Sequence, residues 1–250
     1  MREVLAVAES VWRRMLGMKV VYFLVGCGIL LTWITVLYKY LMAYEEKMLM
    51  VDVSLVVTAI GGLLCVLSLA FEVPCELREG AATTLLSKPL GRTQYLVGKF
   101  IGIVIVGLVV TGILTVGFCV LFRLNYPKEN LMVPFKAHLL TMFSVLPMAA
   151  IAVLFSFILN EAPAAILTFL AIFLFNSLGE LPFASKMSWL IGGILPDLTF
   201  FNLRSEAAHP EVLQTPLGWS YVLMVLAWAV VYSVALLAVS GVIFNRRDLH

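Results

Sequence analysis

Apolar residues fall in six long runs divided by short polar stretches: about Val20–Tyr38, Val53–Phe71, Phe100–Phe122, Leu139–Leu159, Ala162–Leu178 and Tyr221–Phe244. At about 1.5 Å per residue each run approaches the ~30 Å hydrocarbon thickness of a bilayer. The pattern predicts six spanning helices. Only Asn160 and Glu161 part the fourth run from the fifth, so these two form a tight helical hairpin. Pro163 sits in its first turn, where a missing N–H costs nothing, and Pro147 predicts a kink inside the fourth run. Residues 2–19 carry a different pattern. Val4, Ala8, Val11, Trp12, Met15 and Leu16 recur at helical spacing, with Glu9, Arg13 and Arg14 on the other side. This predicts an amphipathic helix lying in the membrane surface, its basic face toward phosphates, or docked on a partner subunit.

Composition narrows the class. Of 250 residues, 62% are apolar and 13% charged, against about 45–50% and ~25% in soluble chains. That excludes a soluble enzyme and leaves one all-α polytopic domain over residues 1–250. A formal charge of +2 is too balanced for a nucleic-acid partner. The N-terminus lacks the pattern of a cleaved signal peptide, so the first span is expected to stay as an anchor. With six spans both termini share a side. If that side is inside, ten of the Lys and Arg residues lie in inner segments and seven in outer ones, which favours cytoplasmic termini. The loop from Gly179 to Ser220 is then extracytoplasmic. Its half from Phe183 to Phe201 is broken by Lys186, Gly192, Gly193, Pro196 and Asp197, and predicts short helices dipping into the outer leaflet.

Candidate chemistry is sparse. Cys27, Cys65, Cys75 and Cys119 form no C-x-x-C pair, so neither a zinc site nor a disulfide framework is indicated. No histidine lies well inside a predicted span, and Asp52 and Asp197 stand at or beyond span ends, so no intramembrane protease set is present. Gly98-Lys99 is followed by Phe100 and is not a nucleotide loop. No catalytic residue, metal site or bound cofactor is expected in this chain. Gly102, Gly107, Gly112 and Gly117 recur every five residues, a step of ~140° that gives no single packing face. Gly98 and Gly102 do form a small-xxx-small pair. Asn176 and Glu180 lie near the outer end of the fifth span. Asn176 joins helices or lines a path, whereas Glu180 is close enough to the interface to be hydrated.

The informative stretch is the predicted cytoplasmic loop 72–99, between the second and third spans. Carboxylates Glu72, Glu76 and Glu79 with Arg78 precede an apolar centre at Leu85 and Leu86. Pro89 and Gly91 then break the chain before a helix that enters the third span. This predicts a short amphipathic helix, a rigid turn and a second helix, held just beneath the membrane and able to dock in a groove of a soluble protein. The order Glu76, Gly80, Thr83, Leu85, Leu86, Pro89, Arg92, Gly98, Lys99 resembles the coupling loop of ABC-2 type ABC-transporter permeases, although Ala81 and Ala82 here separate Gly80 from Thr83. The surface helix, the six spans, the hairpin and the long fifth loop extend the resemblance over the whole chain. The stretch from Ile194 to Leu203 is similar to small permeases of the nitrous-oxide-reductase maturation and gliding type.

The resemblance implies a permease subunit in a bacterial or archaeal cytoplasmic membrane, paired with a second permease copy or paralogue and touching membrane lipids. Cytoplasmic ABC ATPase subunits would bring ATP and Mg, and residues 76–99 would take their motion. Export is the expected output. The alternative is a mechanical transmitter that passes ATP-driven motion to an extracytoplasmic partner without moving a solute.

Overall fold

The computed structural model describes residues 2–37, 46–78, 91–176, 197–204, 207 and 218–246. Among these residues no strand occurs. The helices are α1 (Arg2–Gly17), α2 (Lys19–Leu37), α3 (Glu46–Arg78), α4 (Arg92–Asn125), α5 (Met132–Phe143), α6 (Val145–Ile158), α7 (Glu161–Asn176) and α8 (Trp219–Arg246), with a 3-10 turn at Leu198–Phe201. Glu79, Gly80, Thr83, Leu85, Leu86, Pro89 and Glu180 lie outside the described residues, as does most of the loop expected to dip into the outer leaflet.

Among the described residues five stretches are long and apolar enough to cross a bilayer: α2, α3, α4, α5 with α6, and α8. The fifth predicted run forms α7, whose 16 residues reach about 24 Å at 1.5 Å each. It is short of the hydrocarbon thickness and ends where the described residues end. The hairpin is present, since α6 and α7 pack together. The kink expected of Pro147 falls at Ser144, between α5 and α6. A proline leaves the carbonyl four residues back without a partner and crowds it; here that carbonyl belongs to Phe143, the last residue of α5. The span also begins earlier than its apolar run suggests, at Met132, because the polar Lys136 and His138 are buried within α5.

The core helix is α4. It touches α1, α2, α3, both halves of the bent span, and α8. Its five-residue glycine series serves several neighbours, as a ~140° step requires. A Cβ at Gly98 would stand 2.7 Å from Val7 Cβ, and one at Gly102 would stand 2.7 Å from Val11 Cβ and 3.1 Å from the Ala8 carbonyl. At Gly107 the close neighbour is Val145, and at Gly117 it is Ile29. The pair Gly98 and Gly102 is thus the seat of α1, whose Val7, Ala8, Val11 and Met15 are buried. The apolar stripe expected to rest on lipid or on a partner subunit is covered by α4 of the same chain. Leu5 and Leu16 remain exposed at its edges.

Interactions at the two ends of the bundle close the fold. At the end bearing α1, the rings of Phe157 and Phe244 lie 4.4 Å apart at a tilt of 44°, and Tyr95 adjoins both, at 6.3 and 6.5 Å. Arg92 donates to the Phe244 carbonyl at 3.2 Å, and Arg78 pairs with Glu161 at 2.9 Å. At the opposite end Arg204 pairs with Asp52, Lys47 with Glu129 at 3.3 Å, and Tyr221 donates to the Phe200 carbonyl at 3.0 Å.

The glycine seat yields a prediction. Gly102→Val forces a branched side chain into backbone contact, an overpacking that costs about 1–3 kcal/mol. The readout is limited proteolysis at the N-terminal helix. Gly102→Val should release α1 to protease several-fold faster while Gly112→Val, at a position where a Cβ meets only Met142 Sδ at 3.9 Å, should not.

Candidate functional site

Three helices bring charge together beneath the core at the α1 end. Glu72 and Glu76 stand one turn apart on the last part of α3, and Tyr95 and Lys99 one turn apart on the first part of α4. Arg14 comes from the last turn of α1. Two carboxylates at this spacing repel one another on an isolated helix, so their placement depends on the cations opposite.

Lys99 Nζ lies 2.8 Å from Glu76 and 3.4 Å from Glu72. Arg14 reaches both, at 3.0 Å to Glu76 and 3.2 Å to Glu72. Tyr95 Oη donates to Glu76 Oε2 at 2.7 Å. Lys99 is 2% exposed, Glu72 6% and Tyr95 0%; the Arg14 side chain is half-exposed. Formal charge within the group cancels, two positive against two negative. A buried ion pair is tolerated only when its charges are mutually satisfied, and here each carboxylate meets both cations. The arrangement is a junction: it binds α1, α3 and α4 at the feet of the two helices that flank residues 79–90.

Of the residues singled out from sequence, the structure brings Glu76, Lys99 and Arg14 into this junction and sets Gly98 beside it, under α1. Arg92 holds α8 through the Phe244 carbonyl and stands 5.8 Å from that ring. Arg78 holds the start of α7 through Glu161. Trp12 packs against the core, and Arg13 pairs with Glu9 of its own helix at 2.6 Å, both largely exposed. An exposed i,i+4 pair contributes about 0.3–0.5 kcal/mol, so Arg13 and Arg14 are not equivalent. Asn176 lies far from the junction. It lines a cleft of about 300 Å³ near the opposite end, along with Leu55, Ile60, Ser144 and Arg204.

Sequence reasoning missed Tyr95 and the pairing of Glu72. Both were marked by the matching four-residue spacings Glu72/Glu76 and Tyr95/Lys99. It also placed no histidine inside a span, yet His138 is fully buried, seven residues from the first hydrogen-bonded turn residue Leu131. Its ring stacks on Phe118 at 4.3 Å, with Nε2 3.0 Å from Ser54 Oγ and Nδ1 3.4 Å from Thr58 Oγ1. These polar contacts tie α3 to α5 across the core. Among the described residues, His, Cys, Asp and Glu form no group of three that could hold a metal.

The geometry is that of a membrane bundle with a braced foot, and comparison with protein families decides which bundle. The family described as "ABC-2 family transporter protein" matches residues 13–249. The chain belongs to this family. No curated protein matches it. ABC-2 proteins are membrane components of transport, not themselves catalytic, and they work with ABC ATPase subunits. The match starts at Arg13, within α1, and runs through every span of this ABC-2 protein.

The junction predicts an asymmetry between single and double substitution. Lys99→Met leaves the buried Glu72 and the partly buried Glu76 with only Arg14 and Tyr95, and removal of one partner from a buried pair costs about 3–5 kcal/mol. The thermal midpoint of the purified protein in detergent should fall by several degrees. Adding Glu72→Gln to Lys99→Met should restore part of the loss. If the double variant melts lower than Lys99→Met, Glu72 and Lys99 do not act as partners.

Proposed function

We propose that the chain is a permease subunit of an ATP-driven exporter, forming a transmembrane path with a second permease and driven by a separate cytoplasmic ATPase. The observation that supports this reading is the buried junction at the feet of α3 and α4. Residues 79–90 join those feet, and their order resembles a coupling loop. A force applied to that loop meets three helices tied by paired charges, so α1, α3 and α4 respond together. The end bearing α1 is cytoplasmic on this reading, and ATP and Mg reside on the partner.

A second reading has an observation in its favour. The 33 residues of α3 make a rod of about 50 Å, with its foot in the junction and its other end clasped through Asp52–Arg204 and Lys47–Glu129. Such a rod also suits a mechanical transmitter to an extracytoplasmic partner. Reconstituted complexes that hydrolyse ATP without solute flux, and that retain such a partner only during turnover, would favour it.

Coupling is tested with the co-purified ATPase. Glu79→Lys and Leu85→Asp, together with Arg14→Glu at the junction, should each reduce permease-dependent ATPase stimulation at least five-fold. Membrane insertion should persist, and Arg13→Glu should stay near wild type because that residue pairs only with Glu9. Wild-type stimulation in the Glu79 and Leu85 variants reduces 79–90 to a solvated connector.

Orientation has its own check. A cysteine introduced as Gln214→Cys should react with a membrane-impermeant thiol reagent added to intact cells, whereas native Cys75 should react only after the membrane is opened. Labelling of Cys75 in intact cells reverses the topology and removes the cytoplasmic loop on which coupling depends.

A further inference from the structure

The cleft at the end opposite α1 has a two-part lining. Leu55, Ile60, Leu63 and Ile172 make its apolar walls, between α3 and α7, and the bend at Ser144 makes its floor. Asn176, Asn202 and Arg204 stand at one end of it, and all three are exposed. Ala59 and Ile60 also line it and are exposed, Ile60 by 48%, so the cleft opens sideways from α3. In a bundle that spans a bilayer, that opening faces hydrocarbon. Thr141 and Ser144 add hydroxyls to its lining, and hydrocarbon is the medium at its mouth.

The polar rim selects among hydrocarbons. Arg204 gives Nε–H and an Nη2–H to Asp52. The Nη1 edge of its guanidinium keeps donors that Asp52 does not take, because arginine carries five N–H groups in a planar fork. That edge and the amides of Asn176 and Asn202 offer donors to acceptor oxygens at one end of an apolar slot. Phosphate is the group that arginine recognises best in this way. The volume of about 300 Å³ is at the lower limit for a small-ligand pocket, room for part of one acyl chain.

We infer that the cleft is a phospholipid site: one acyl chain of a lipid from the leaflet opposite α1 enters between α3 and α7, with its phosphate at Arg204. The second chain stays in the bilayer beside Ala59 and Ile60. The site is formed within one protomer, and its occupancy requires neither ATP nor the ATPase, so it stands or falls separately from the transport reading.

The test uses the full-length protein in nanodiscs of phosphatidylglycerol and phosphatidylcholine, with a phosphatidylglycerol probe bearing a diazirine on one chain. Crosslinks mapped by mass spectrometry should be at least five-fold more abundant on Leu55–Leu63 and Ile172 than on the lipid-facing Leu223–Val231 stretch of α8. Ala59→Trp, at an exposed position where folding is undemanding, should remove that excess and leave the α8 crosslinks unchanged. Arg204→Gln should lower it about three-fold or more. Equal labelling of cleft and α8 in the wild-type protein overturns the site without recourse to any variant. An excess that survives Ala59→Trp also overturns it, and one insensitive to Arg204→Gln overturns the phosphate assignment.

Discussion

A charge next to lipid must be paired or expelled, and this requirement governs the α1 end of the molecule. Lys99, Glu72 and Glu76 are placed where water does not reach most of their surface. Removing a single such charge from water costs several kcal/mol, recovered only through near-ideal contacts with its opposites. Arg14 is the group that completes those contacts, and it is borne on a helix that does not span. The position of α1 therefore follows from electrostatics as much as from its apolar stripe. The glycines at 98 and 102 let its backbone come close enough for Arg14 to reach both carboxylates.

Packing and charge reinforce one another along α4. Its first turns carry Tyr95 and Lys99 on the side of α3, Gly98 and Gly102 on the side of α1, and Arg92 toward α8. Three neighbours are thus fixed within about three turns, by three different kinds of contact. Further along, Gly107 leaves room for Val145 of the bent span, while Thr111 lies beside Gly62 of α3 and its hydroxyl bonds back to its own helix. Small residues permit close approach where hydrocarbon supplies no drive for helices to associate. The glycine series is explained by its neighbours: Gly102 meets α1, Gly107 meets Val145 of the bent span and Gly117 meets Ile29 of α2, so it is not a stripe for one helix.

Much of the architecture was legible because a bilayer imposes length and hydropathy so strictly. The runs near Val20 and Tyr221 became helices within two residues at each end, those near Val53 and Phe100 lie inside the longer helices Glu46–Arg78 and Arg92–Asn125, and the Asn160-Glu161 hairpin is where the polar pair put it. The fourth span was misjudged at its start because Lys136 and His138 depress hydropathy, although both are buried. Lys136 sits 4.9 Å from the Trp219 ring and His138 against Ser54, Thr58 and Phe118; such satisfaction is tertiary and leaves no local mark. The candidate site was half legible. Loop order singled out Glu76 and Lys99, and the break at Pro89 and Gly91 put the next helix where α4 begins, but assigning residues 72–78 to the loop hid the fact that α3 continues to Arg78. Glu72 and Lys99 therefore belong to helices and face one another.

That extension of the helices changes how motion delivered to the foot must travel. Were residues 72–99 a loose loop, displacement would be absorbed by backbone rotation before it reached a span. With α3 helical to Arg78 and α4 from Arg92, only thirteen residues separate the two helix ends, and the charges behind them are already matched. A matched group of low net charge has little to gain by opening, since any separation strands a carboxylate or an ammonium in apolar surroundings. Relative sliding of α3 and α4 at this level is therefore expensive, while their movement as a unit is not. Compliance is left to weaker points: Pro74, which interrupts the hydrogen-bond ladder near the foot of α3, the pair Arg78–Glu161, whose arginine is exposed, and the bend at Ser144. Tilting of α1, α3 and α4 against α6 and α7 is the deformation that this distribution of contacts permits most cheaply, and it changes the width of the cleft between α3 and α7 at the far end.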